Sequence, residues 1–121
     1  MKYILLIYGN ESDGAQRMAR EGGALLKEYG AFTESIRQSG QFVAGERLKP
    51  VAEASTVKIR DGKTLAVDGP FAETKEQLGG YYLIDVESQD EAIEWAAKIP
   101  SARFGKIEVR PLVMREAEVE A

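Results

Sequence analysis

Twice along the chain, an apolar run long enough for a strand gives way to a polar turn, a stretch of helical period and a second strand-like run. A short hairpin signal separates the two units. This order, β-α-β, hairpin, β-α-β, limits the fold more than any other feature. In the first unit, residues 2–8 are almost continuously apolar, which suits a central strand covered on both faces. Gly9-Asn10-Glu11-Ser12-Asp13-Gly14 supplies turn chemistry, with Ser12 or Asp13 as the candidate helix cap. Met18, Gly22, Leu25, Tyr29, Phe32 and Ile36 follow at alternating spacings of 4 and 3 and so share one helical face. Gly22-Gly23 is the weak point, costing about 1–2 kcal/mol against a pair of alanines. Either the helix begins after them or they let it sit close on a sheet. Ser39-Gly40 ends it, and residues 41–48 read as a returning strand interrupted by Gly45.

The middle of the chain alternates apolar and basic residues through Thr56-Val57-Lys58-Ile59-Arg60, the mark of a half-buried strand. Asp61-Gly62 is a tight hairpin turn, and residues 63–67 return from it. In the second unit, residues 81–86 form the strand. Ser88-Gln89-Asp90-Glu91 is a capping box, and Ala92, Ile93, Ala96 and Trp95 give the next helix its inner face. Pro100 closes that helix. Ile107, Val109 and Val113 alternate in a last strand that Pro111 confines to a sheet edge or a bulge. The expectation is an α+β, ferredoxin-like sandwich with two helices on one face of an antiparallel sheet. Residues 1–114 form one domain, followed by a solvated acidic tail over 115–121 that carries Glu116, Glu118 and Glu120. The sheet face away from the helices would expose apolar surface, and a homodimer that stacks two sheets covers it economically.

Composition removes whole classes of chemistry. With no Cys there is no thiol nucleophile or thiolate metal site, and with no His there is no imidazole base. No metal site and no cofactor is expected: the carboxylates form no tight oxygen-ligand loop, and the glycines form no phosphate or dinucleotide fingerprint. Residues 1–60 hold nine basic and seven acidic side chains, and residues 61–121 hold seven and thirteen. Neither half has the basic stripe that nucleic-acid binding needs. No apolar run is long enough to span a membrane, and the N-terminal run lacks a cleavage site, so a cytoplasmic location is expected.

Asp68-Gly69-Pro70-Phe71-Ala72-Glu73-Thr74-Lys75-Glu76 resembles the hallmark of the DGPF, or YCII-related, domain family. The opening Met1-Lys2-Tyr3, the pair Gly79-Gly80 before Tyr81-Tyr82, the helix around Trp95 and the ending Ile107 to Leu112 fit it too. The resemblance covers essentially the whole chain. It implies a ferredoxin-like fold of the dimeric α+β barrel type, in small bacterial proteins often encoded beside extracytoplasmic-function sigma factors. Relatives in that superfamily include cofactor-independent monooxygenases, isomerases and ligand-binding modules of regulators. The YciI-like branch carries a His–Asp pair proposed as catalytic, which a chain without His cannot reproduce.

Read physically, Asp68-Gly69-Pro70 is punctuation, with Pro70 pushing Gly69 toward extended geometry and Phe71 anchoring the loop in apolar surroundings. The functional reading places Asp68, Glu73 and Glu76 as proton carriers and Lys75 as the holder of an anionic oxygen. Thr74 adds a hydroxyl. Tyr8 is either a core or interface aromatic or a pocket phenol, and Arg47 is either a surface cation or an anion clamp. Arg110, if turned inward, needs Asp68 or Glu73 as its partner. Two functions follow. One is a cofactor-free enzyme of proton-transfer, isomerase or monooxygenase type acting on a small anionic or aromatic ligand, with its site between sheet and helices or at the dimer interface. The other is a non-catalytic binding module tied to sigma-factor regulation. A purely structural dimer is the plain third alternative.

Overall fold

The computed structural model describes residues 1–115; the expected acidic residues Glu116, Glu118 and Glu120 lie outside the described residues. The elements run β1 (Lys2–Gly9), α1 (Glu11–Gln38), β2 (Phe42–Arg47), β3 (Ser55–Arg60), β4 (Lys63–Asp68), β5 (Gln77–Asp85), α2 (Gln89–Lys98) and β6 (Lys106–Pro111). Short 3-10 turns over Val51–Glu53 and Pro100–Arg103 join them. Four strands form one antiparallel sheet in the order β2-β5-β1-β6, and β3 and β4 form a separate hairpin. This is the expected ferredoxin-like α+β architecture. Pro111 sits on the edge strand β6, where a missing amide costs no ladder bond.

Side chains alternate across the sheet. Tyr3 and Leu5 of β1 with Tyr82 and Ile84 of β5 point to the helices and are buried. Phe32 and Ile36 of α1 and Ala92 and Ala96 of α2 close over them. Full burial of a side chain such as Leu5 or Ile36 contributes roughly 1.5–3 kcal/mol. Phe32 meets Tyr82 and Trp95 edge-on, at ring-centroid distances of 5.1 and 6.0 Å. The opposite sheet face carries Ile4, Leu6, Tyr81 and Leu83, half-buried by one another and covered by no helix of this chain. Within one chain, β1 is thus covered on one face, not two.

Several local expectations are corrected. The cap of α1 is Asn10, whose Oδ1 accepts from the Asp13 amide at 2.9 Å, in place of Ser12 or Asp13. The helix runs unbroken through Gly22-Gly23. A Cβ on Gly22 would lie 2.9 Å from the Met18 sulfur and one on Gly23 would meet nothing within 4 Å, so the pair does not mediate close packing on the sheet. Ser88 caps α2 by accepting from the Glu91 amide, while the Glu91 carboxylate reaches the Glu87 amide at 3.4 Å. Ile93 is 49% exposed; the inner face of α2 is Ala92, Ala96 and half-buried Trp95, whose indole N–H donates to Gln41 Oε1. Asp61 and Gly62 take φ of 52° and 75°, as a type I′ turn requires. The hairpin they close is exposed along almost its whole length, not half-buried within the chain.

Candidate functional site

The first half of α1 buries no side chain; the buried residues of this helix are Phe32 and Ile36, near its C-terminal end. Beneath that first half lies a cavity of about 810 Å³ between α1 and the sheet. Gly45, Gly79, Gly80 and Gly105 line it on the sheet side. Gly105 is required by close approach, since a Cβ there would lie 2.0 Å from the Tyr8 carbonyl oxygen. The β1–β5 register also slips between Ile7 and Tyr8, which places a bulge at Gly79 on the cavity wall.

The apolar lining is Ile7, Met18, Leu25, Leu26 and Phe42. Two hydroxyl pairs interrupt it. The Tyr29 hydroxyl hydrogen-bonds Ser101 Oγ, and Thr33 Oγ1 bonds the Tyr82 hydroxyl at 2.9 Å. Burial pushes the Tyr29 phenol above its ordinary 10.0, against the opposing pulls of Ser101 and the Arg47 charge, so it is protonated at neutral pH. Arg47 lines the same cavity and acts electrostatically on Tyr29. Arg17 lies over the Phe104 ring at 3.8 Å and Arg37 over Phe42 at 5.2 Å. The Glu11 carboxylate accepts from the Val51 amide at 3.0 Å and is also part of the wall.

Of the residues singled out in the sequence, Arg47 belongs to this cavity. Tyr8 alternates onto the opposite sheet face, opposite Lys106. Arg110 is exposed on that face opposite Ile4, and among the described residues it forms no ion pair with the expected Asp68 or Glu73. Asp68, Glu73 and Lys75 are exposed. Glu76 pairs with Lys106 at 2.6 Å. Phe71 is 88% exposed and does not anchor the loop within this chain. Hydrogen bonds at Gly69 hold it instead: the Gly69 amide donates to the Ala54 carbonyl at 2.7 Å and Thr56 Oγ1 to the Gly69 carbonyl at 2.9 Å. Gly69 has φ of 100°, a conformation open to glycine, not the extended geometry expected before proline.

The motif does shape the cavity indirectly. Asn10 Nδ2 donates to the Lys75 carbonyl at 2.9 Å, so the residue that caps α1 is also tied to the motif. Gln77 accepts from the Glu11 amide and donates to the Thr74 carbonyl, and it lines the cavity. Residues 74–77 therefore fix where α1 starts, and with it one rim of the cavity. Tyr29, Thr33, Tyr82 and Ser101 were not legible as site residues. Tyr29 and Tyr82 sit at apolar-face positions, and nothing local marks a hydroxyl partner distant in sequence.

An antiparallel sheet with two helices on one face defines a ferredoxin-like α+β protein, here with a cavity under the first helix. The YCII-related domain model matches residues 1–115, and the chain belongs to that family. It is 38% identical over 116 residues to an uncharacterised protein of Rhizobium meliloti (strain 1021), covering 94% of each chain. Its fold is similar to that of 5-chloro-2-hydroxyhydroquinone dehydrochlorinase (TftG) from Burkholderia phenoliruptrix AC1100, solved in complex with 2,5-dihydroxybenzoquinone. That match has a TM-score of 0.53 at 13% identity and covers 98% of this chain and 99% of the other. Among the described residues no group of three or more acidic side chains is placed to hold a metal ion, and no helix is long and apolar enough to cross a membrane.

Proposed function

We propose that this YCII-related protein is a cofactor-free small-molecule enzyme whose site is the cavity between α1 and the sheet. The carrying observation is that one cavity is lined by both Arg47 and the half-buried Tyr29–Ser101 pair. Among the described residues Arg47 has no carboxylate partner, so its charge is open to an anionic ligand oxygen. Tyr29, a phenol at neutral pH, is a proton donor beside it. The ligand class is a small, planar anion of enol or phenol type, which fits apolar walls with few convergent polar groups. The ligand bound by the structurally similar dehydrochlorinase supports this class.

In this reading Arg47 holds the anionic oxygen and Tyr29 gives that oxygen its proton. The Glu11 carboxylate, fixed by the Val51 amide, takes a proton from carbon. Tyr29 is reprotonated from solvent through Ser101, and Glu11 releases its proton to solvent directly. The reading rests on these cavity groups and not on Asp68, Glu73 and Glu76, which stand off its wall in the single chain. The same reading has a second copy of the chain cover the open sheet face around Ile4, Leu6, Tyr81 and Leu83.

A thermal-shift series tests the site, with 2,5-dihydroxybenzoquinone and small carboxylates as probes. A probe at 100 times its Kd stabilises the fold by about 2.7 kcal/mol. The shift is expected to fall in Arg47→Ala and Tyr29→Phe and to persist in Lys75→Ala. A shift kept in Arg47→Ala and lost in Lys75→Ala overturns the cavity in favour of the motif loop. Deuterium exchange of the probe's C–H groups, followed by NMR, then separates enzyme from binding module. Binding without accelerated exchange rejects proton transfer and leaves a regulatory module of the sigma-factor-linked kind.

A further inference from the structure

We propose that the β3–β4 hairpin is an arm that lies across a second copy of this chain. This rests on the second-copy reading of the open sheet face but adds a separate contact. The two strands pair with each other and with no strand of the main sheet. An isolated two-stranded hairpin is at best marginally stable in water. Val57, Ile59, Leu65 and Val67 are between 41% and 64% exposed.

The register puts apolar side chains on both faces. Val57 lies opposite Ala66 and Ile59 opposite Thr64 on one face; Leu65 lies opposite Lys58 and Val67 opposite Thr56 on the other. A strand pair resting on its own body would need one apolar face and could leave the other polar. This arm has two faces to cover. The Gly69 amide closes its base on the Ala54 carbonyl, and the Val51 amide just before that base is tied to Glu11 of α1, so its direction is set.

Charge identifies the occupant. The hairpin from Ser55 to Asp68 carries Lys58, Arg60 and Lys63 against Asp61 and Asp68, while the rest of the chain has 13 cations and 18 carboxylates. A basic arm is complementary to an acidic body, and among the described residues no ion pair joins this arm to its own. A two-fold dimer makes such a contact twice, once for each arm. A stable interface buries about 800 Å² on each partner. The arm and the open sheet face together offer two apolar patches toward that area.

The test is the dimer Kd of the full chain by sedimentation equilibrium, with amide hydrogen exchange above and below that Kd. Three variants are compared with wild type: Val57→Lys with Ile59→Lys, Lys58→Glu with Arg60→Glu, and Leu6→Lys on the open sheet face. Far-UV circular dichroism confirms that each is folded. The wild type is expected to be a dimer whose Kd rises about tenfold or more in both hairpin variants. Hairpin amides are expected to be protected above the Kd and to lose that protection on dilution. An unchanged Kd in both hairpin variants, with hairpin exchange independent of concentration, overturns the arm. If Leu6→Lys alone weakens such a dimer, the open-face reading survives without it. A wild type that stays monomeric at high concentration overturns both readings and leaves the hairpin to a different partner.

Discussion

Tyr29 is where the chemistry of one residue shows most directly. Its phenol is held above the ordinary value of 10.0 because burial disfavours the phenolate, more than Ser101 and the Arg47 charge favour it. A group whose folded value is raised binds its proton more tightly in the native state. Its contribution to stability is therefore complete below the unfolded value and lost as pH rises through the folded one. Urea midpoints should fall more steeply for wild type than for Tyr29→Phe as pH climbs past about 10. Equal slopes would mean that another group governs the alkaline limb. At neutral pH the same substitution leaves Ser101 without its phenol partner and should cost about 1 kcal/mol. The helical spacing placed Tyr29 on the inner face of α1, but Ser101, 72 residues away, became its partner only through the fold. Arg47 was legible as a candidate anion clamp because a cation closing a strand is conspicuous. Phe71 stands exposed instead of anchoring its loop, because an apolar ring in a turn does not carry with it the surface it would pack on.

At the scale of elements, α1 divides into a packed end and an end propped over a cavity. Asn10 holds the propped end twice, through Oδ1 to the Asp13 amide and through Nδ2 to the Lys75 carbonyl. Asn10→Ala should therefore cost about 1–2 kcal/mol, the upper range for a helix cap. It should also speed amide exchange in the first turns of α1 while leaving exchange near Ile36 unchanged. Uniform acceleration along the helix would refute the division. Gly23 gives the opposite sign. It is helical and open, with nothing within 4 Å of a built Cβ, so Gly23→Ala should stabilise by about 0.5–1 kcal/mol and raise Tm by a few degrees. Gly22→Ala should gain less, since its Cβ meets the Met18 sulfur at 2.9 Å. The order of elements and their types were legible because period and punctuation are local properties. The helix start was not, because Asn10 gains its advantage from a carbonyl 65 residues away.

For the whole molecule, the sequence patterns record which surfaces must be covered but not what covers them. Residues 2–8 read as a strand buried on two sides, and residues 56–60 as one buried on a single side. In one chain the first is covered on one face and the second stands exposed. Both departures have the same sense: more apolar surface is encoded than a single copy buries. If a second copy supplies the cover, folding and association are linked, and apparent stability depends on protein concentration. The Tm of the wild type should then rise across serial increases in concentration. Leu6→Lys should lower the Tm measured at high concentration toward that of the dilute wild type and flatten the dependence. Hairpin substitutions should flatten it part of the way, because they remove the arm and leave the sheet face intact. A wild-type Tm that is the same at every concentration would place the uncovered strands on a monomer's surface. The apolar residues at Val57, Ile59 and Leu6 would then need an explanation other than assembly of this chain with itself.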